Sequence, residues 1–364
     1  MRFALIQEGD FPPDSDTSKR YGEMVKEAVF AEKMGFDTYC LSEQHFLKET
    51  CTVSAPEVFF PYVAAQTERL RFRTTSAVLL SFNHPIRVAE RLTTLDVLSD
   101  GRAELGTARS NNLNTLEGFG VSPDVSRAQW AESIDIILRA LTQDTFEYDG
   151  TFWKVPPRTL SPKAIQTPHP PVYVSATSFE THTNAGERGI GVMTGNSILG
   201  WEYAQKCIDA YRDGLTRAKP ASGSYVNDQV SFFVAVAHCS DTMSKAINEA
   251  ARVSKTFIDL VIWLYSRLGS SSPDYAYLSA IKTIEARKED LEYVLNSAPY
   301  FMVGTPDYLI ERFRRLEEMG VDEVMLRIDG MGHETNLQAI EAFGTKVIPH
   351  FQKTRARSKT DGAA

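Results

Sequence analysis

Short apolar runs of strand type alternate with amphipathic helical runs along the whole of this 364-residue chain. That alternation limits the fold more than any single motif. Strands are read at Arg2–Ile6, Thr38–Leu41, Leu70–Leu79, Ala103–Gly106, Pro171–Ser175, Gly189–Met193, Ser231–His238 and Glu323–Ile328. The spacing Tyr21, Met24, Val25, Ala28 marks a helix starting at Thr17 or Ser18 and stopping at Gly35, since residues three and four apart share a helix face. Further helices are read at 56–65, 84–98, 130–141, from near Ser178, at 201–215, 242–265 and 305–320, and from about 335 to 351. Eight strands separated by helices predict an α/β fold, a closed (β/α)8 TIM barrel. The repeated pattern of 32–41 and 317–326, a helix end, Gly, Asp and an apolar strand, supports repeated βα units. A doubly wound open sheet is disfavoured because no G-x-G-x-x-G follows the first strand.

Two stretches interrupt the alternation. Residues 147–171 hold six prolines and read as an irregular surface insertion. Residues 267–300 read as a lid-like insertion before the last βα unit, hinged at Gly269-Ser-Ser-Ser-Pro273. One domain, 1–352, is expected, followed by a disordered basic tail over 353–364. With 39 basic against 47 acidic residues the net charge is −8, which argues against a nucleic-acid partner. No apolar run reaches membrane-spanning length. Cys40, Cys51, Cys207 and Cys239 lack C-x-x-C spacing and read as reduced thiols of a cytoplasmic protein, neither disulfide frame nor metal site.

In a parallel barrel, ligands bind at the C-terminal ends of the strands. The stretch Gly101–Asn112 places Arg109, Ser110 and Asn111 there. Arg109 either grips a phosphate through its planar fork or pairs with a neighbouring Glu at the barrel mouth. Thr177 and Ser178 sit at a strand-to-helix junction, where free N–H groups favour an anion; the alternative is that Ser178 is only a helix cap. Glu43 and His45 share a strand face, as an acid–base pair or as a structural pair. Phe46, Phe59, Phe82, Phe119, Trp201 and Trp263 are candidates for an apolar pocket, with core packing as the other reading.

Met-Gly-Phe-Asp-Thr (34–38), Glu-Gln-His-Phe (43–46), His-Pro-Ile-Arg (84–87), Leu-Asp-Val-Leu-Ser-Asp-Gly-Arg (95–102), Pro-Val-Tyr-Val (171–174) and Val-Gly-Thr-Pro (303–306) occur in this order. Together they resemble the luciferase-like monooxygenases. The resemblance implies a homodimer packed through the early helices, with FMN at the C-terminal mouth. It also implies that reduced FMN comes from a separate flavin reductase, reacts with O2 and oxygenates a small organic substrate. Arg109, Ser178 and Thr181 match phosphate-holding positions, and Thr177 falls where luciferase has an acidic residue. Ser76–Ala77 matches a non-proline cis peptide behind the flavin ring. Ala108 replaces a reactive cysteine and leaves room for substrate; Asn111 completes the cofactor set. Luciferase's functional histidine aligns with Gln44, so its proton role does not transfer to that residue. Glu43 and His45 remain, and hydroxylation or Baeyer–Villiger insertion is expected rather than light emission. The rival readings are a deazaflavin-dependent hydride-transfer enzyme and a non-catalytic flavin-binding relative.

Overall fold

The structure, a computed structural model, describes residues 1–11, 15–47, 50–195, 199–296 and 298–352; the expected tail lies outside them. In chain order the strands are β1 (Arg2–Gln7), β2 (Thr38–Leu41), β3 (Arg71–Thr74), β4 (Ala77–Val78), β5 (Ala103–Ala108), β6 (Phe146–Asp149) and β7 (Lys154–Arg158). They continue with β8 (Val172–Ala176), β9 (Gly191–Thr194), β10 (Val230–Val234), β11 (Val236–Cys239), β12 (Phe301–Gly304) and β13 (Glu323–Arg327). The order β3-β2-β1-β13-β10-β9-β8-β5-β4 closes on itself through β3–β5 pairing, and the neighbours run parallel. The expected strand 70–79 is two pieces, β3 and β4, which serve as halves of one stave. Counted so, eight staves form the predicted barrel.

Period two explains what faces inward. Phe3 and Leu5 of β1 pack outward with the helices, as do Val324 and Leu326 of β13, while Ala4, Ile6 and Met325 fill the interior. The N-terminal end of the interior is closed by buried charge. Arg73 bonds Glu323 and, at 3.1 Å, Ser231 Oγ, and its guanidinium lies 4.5 Å from the Tyr173 ring centre. Burial pushes the Glu323 carboxyl up, but Arg2, Arg73 and Ser231 outweigh it and hold it down at about 2. With that end plugged, space for a ligand lies at the C-terminal mouth.

Helices α1 (Thr17–Lys33), α2 (Pro56–Ala64), α3 (Pro85–Leu98), α4 (Leu113–Gly118), α5 (Ser126–Thr142), α6 (Phe179–Arg188) and α7 (Trp201–Leu215) surround the barrel. They are followed by α8 (Met243–Gly269), α9 (Lys282–Glu285), α10 (Leu291–Asn296), α11 (Pro306–Glu318) and α12 (His333–Ala342). The cap of α1 is Asp16, which accepts from Lys19 N at 2.8 Å, in place of the expected Thr17 or Ser18. Two further expectations are corrected. The proline-rich excursion contains the antiparallel hairpin β6–β7; Pro156 and Pro157 are tolerated because a two-stranded ribbon leaves N–H positions unpaired. The strand expected at 231–238 is broken, and its second half, β11, pairs with β12 in a separate small sheet. In the expected lid-like insertion the described residues form a 3₁₀ helix, Pro273–Ile281, that packs on α8, followed by α9 and α10.

Candidate active site

The main cavity opens at the C-terminal ends of the staves, between the barrel rim, α8 and the 273–281 helix.

One wall is cationic. Ser110, just past β5, has φ +71, a conformation that few non-glycine residues adopt, and both Arg109 and Asn111 border the cavity. The Arg109 guanidinium lies 4.1 Å from the Tyr275 ring centre and donates to Asp274 at Oδ2 (3.5 Å) and at its carbonyl (3.2 Å). Arg127, at the start of α5, donates its Nε to the same Asp274 oxygen at 3.1 Å. Asp274, Glu180 and burial act on Arg127; burial is the largest influence and lowers its pKa, but the carboxylates outweigh it and raise it. Nothing in the sequence marked Arg127, because its partner lies 147 positions away. The carboxylate beside Arg109 is Asp274 of the 273–281 helix, not a neighbouring Glu.

Beside the arginines stands the α6 N-terminus. Ser178 caps it, accepting from Thr181 N at 3.3 Å, and its Oγ lies 3.0 Å from Thr181 Oγ1. His182 is fully buried; its Nδ1 donates to Ser178 O at 2.8 Å and its Nε2 accepts from Thr194 Oγ1 at 3.0 Å. Burial pushes the imidazole down to about 4, outweighing the Ser178 bond, so it is neutral and locks the cap from behind. Thr177 and Thr181 border the cavity, while Ser178 does not. Thr177 Oγ1 meets Tyr277 OH of the 273–281 helix at 2.7 Å.

The opposite rim carries Glu43 and Gln44, both facing the cavity. Glu43 Oε1 lies 3.1 Å from His45 Nε2 and accepts from Asn83 at 2.7 Å; its Oε2 accepts from Val78 N at 3.0 Å. The His45 ring is turned away, edge-on to Phe119 (5.0 Å) and Phe82 (5.8 Å). Ser76 and Ala108 line the cavity, whereas Ala77 pairs with Thr107 behind it. The expected cis peptide is real but displaced by one residue: it is Thr75–Ser76, not Ser76–Ala77.

The aromatic expectation is also corrected. None of Phe46, Phe59, Phe82, Phe119, Trp201 or Trp263 borders this cavity; Phe233, Phe257, Tyr265, Tyr275, Tyr277 and Tyr300 do. Phe46, Phe82 and Phe119 instead form a cluster around His45. Among the described residues no helix is long and apolar enough to cross a membrane.

Fold and cavity define a TIM-barrel protein whose ligand space lies at the C-terminal mouth. The chain belongs to the luciferase-like monooxygenase family, which matches residues 1–323. It is 24% identical over 367 residues to the oxygenase component of the flavin-dependent trigonelline monooxygenase of Acinetobacter baylyi, covering 98% of this chain and 97% of that protein. The oxygenating constituent of 3,6-diketocamphane monooxygenase from Pseudomonas putida, solved with FMN, superposes with a TM-score of 0.74 at 21% identity, covering 96% and 98% of the two chains. The coenzyme F420-dependent tetrahydromethanopterin reductase of Methanopyrus kandleri superposes with a TM-score of 0.70 at 19% identity, covering 96% and 99%.

Proposed function

We propose that this protein is the oxygenase component of a two-component flavin monooxygenase. In this reading it takes reduced FMN from a separate reductase and uses O2 to oxygenate a small organic substrate by hydroxylation or Baeyer–Villiger insertion. The observation that carries the reading is the convergence of Arg109 and Arg127 on one carboxylate oxygen beside the α6 N-terminus. A pair of guanidiniums sharing one anion is also the arrangement a phosphate monoester needs. Thr75 supports the fit: its Oγ1 is buried without a hydrogen bond at the cavity wall, where a ring heteroatom would satisfy it.

When bound, reduced FMN would supply the electrons that activate O2 for transfer of one oxygen atom to the substrate. Arg109 and Arg127 would hold the phosphate, with Ser178, Thr177 and Thr181 beside it. Ser76, Ala108 and Asn111 would border the ring. Water exclusion falls to Tyr275, Tyr277 and Leu278 of the 273–281 helix, which already cover the mouth. Gln44 has no titratable proton, so proton handling is assigned to Glu43, with His45 Nε2 as the atom that shares its hydrogen. A homodimer is supported by the exposed apolar face that α2 and α3 form together, with Val58, Tyr62 and Leu98 each more than 60% exposed.

The test is a titration of FMN and of riboflavin, which lacks the phosphate, into the parent and Arg109→Ala, followed by oxygen uptake with reduced FMN. Loss of charge-assisted bonds of roughly 1.5–3 kcal/mol should weaken FMN about 10- to 100-fold and leave riboflavin unchanged. Equal FMN affinity in both proteins, or no oxygen uptake with reduced FMN while a deazaflavin supports hydride transfer, would overturn the assignment.

A further inference from the structure

Beyond the arginine wall, the cavity continues between the barrel axis and α8. Its lining there is Phe233, Phe257, Leu260, Val261 and Leu264, closed by Tyr300 at the start of β12. Charges that border this part are already matched. Glu8 accepts from Ser42 Oγ at 2.8 Å and pairs with Arg327 Nε at 2.8 Å, and Glu43 is filled by His45, Asn83 and Val78. Among the described residues, no unmatched cation or anion faces this end. An ionised group brought here would lose its hydration without gaining a counter-charge, which strongly disfavours it.

Tyr300 places a hydroxyl at this end. Tyr300 is only 2% exposed and borders the cavity, yet its hydroxyl makes no hydrogen bond among the described residues. Its ring is fixed edge-on to Phe233 (6.0 Å) and Phe301 (5.3 Å), so it cannot swing to find a partner. Burial, with smaller contributions from Tyr265, Glu8 and Cys51, holds its pKa well above the ordinary phenol value, which keeps the proton on the oxygen. The hydroxyl is therefore left to donate into the chamber, whose other lining at this end is Phe233, Phe257, Leu260, Val261 and Leu264.

We propose that the inner chamber takes an uncharged, mainly apolar organic molecule bearing one hydrogen-bond acceptor, and that the Tyr300 hydroxyl is the donor that anchors it. The assignment rests on the reading of the cavity as a monooxygenase site and specifies its substrate class. The acceptor end seats at Tyr300, and the carbon skeleton fills the space between Phe257 and Leu264. A ketone or other neutral carbonyl compound meets both conditions; a carboxylate fails the charge condition, and a plain hydrocarbon leaves the hydroxyl unmatched.

Three probes of similar size separate these cases: acetophenone, ethylbenzene and benzoate. Their binding to the FMN-loaded protein is measured by saturation-transfer NMR, with FMN binding itself titrated in the same samples. Acetophenone should bind tightest, benzoate not at all. In Tyr300→Phe, acetophenone should weaken on the order of tenfold, the effect of one buried hydrogen bond, with ethylbenzene unchanged. Benzoate binding as well as acetophenone, no acetophenone binding, or a ratio of acetophenone to ethylbenzene unmoved by Tyr300→Phe would each overturn the assignment, provided FMN binds. Failure of FMN to bind would instead remove the monooxygenase reading beneath it.

Discussion

Asp274 sets one carboxylate oxygen 3.5 Å from Arg109 Nη1, and that same oxygen accepts from Arg127 at 3.1 Å. The anion that satisfies the two arginines is thus supplied by the helix covering the mouth. A ligand phosphate would compete for the same donors. Entry of the phosphate and displacement of Asp274 are then a single exchange, and the covering helix must yield as the ligand arrives.

Asp274→Asn should therefore tighten FMN binding, by roughly three- to tenfold, because the amide no longer neutralises the guanidiniums. Charge-assisted contacts are about twice as strong as neutral ones. Riboflavin, without the competing phosphate, should bind equally to variant and parent. Fluorescence titration of both ligands checks this; a parallel gain for riboflavin would mean that the substitution merely loosens the helix.

The barrel and the α6 end of the site were legible in the sequence because their signals are local. The apolar run Arg2–Ile6, the Ser178 cap and the left-handed stop at Gly35 lie within a few residues of the structure they specify. The Arg127–Asp274 meeting was not legible, because both residues sit on polar helix starts that resemble any solvated surface. The aromatic pocket was misassigned for a related reason. Phe46, Phe82 and Phe119 are as aromatic as Phe233 and Tyr300, and only the fold decides which group faces the cavity. Residues 154–158 read as irregular because prolines mask a ribbon strand. The cis bond was placed one residue late because resemblance fixes a motif more firmly than a register.

His182 sets a pH dependence whose sign follows from its burial. The unfolded chain binds the imidazole proton near 6.5 and the folded chain only near 4, so unfolding takes up a proton between these values. Its contribution to stability is complete above pH 6.5 and is lost as the pH falls toward 4. At 1.36 kcal/mol per unit, about 2 kcal/mol should disappear between pH 6.5 and 5. Urea unfolding at the two pH values measures it. His182→Gln should be less stable at pH 7, having lost the bonds to Ser178 and Thr194, yet show a shallower slope. An unchanged slope would assign the acid sensitivity to other groups.

The apolar face on α2 and α3 predicts an association that a charge would break. Val58, Tyr62 and Leu98 are 72%, 66% and 65% exposed, and large apolar side chains exposed on neighbouring helices are what a contact face presents. Leu98→Asp should convert a sedimenting dimer to monomer, because a second copy would have to bury that carboxylate unpaired. Far-UV dichroism should be unchanged, since the side chain is exposed. A parent that sediments as a monomer at micromolar concentration would end the dimer proposal.

The 273–281 helix makes a prediction that separates binding from coupling. Tyr275, Leu278 and Ile281 are buried in one apolar cluster with α8, and Tyr277 reaches across the mouth to Thr177. None of these contacts is required for two arginines to hold a phosphate, but all of them keep water from the chamber behind it. Deleting 270–295 should not abolish FMN binding, since the competing Asp274 leaves with the segment together with the Tyr275 ring that lies against Arg109. Oxygen consumed with reduced FMN should then appear as hydrogen peroxide rather than oxygenated product. Tyr277→Phe, which removes only the bond to Thr177, should shift the same ratio in the same direction by a smaller amount with the core intact. Peroxide yield is read by a peroxidase-coupled assay against total oxygen uptake. An unchanged ratio in both variants would show that the segment is an ordinary covering of α8, and that the barrel rim alone keeps the chamber dry.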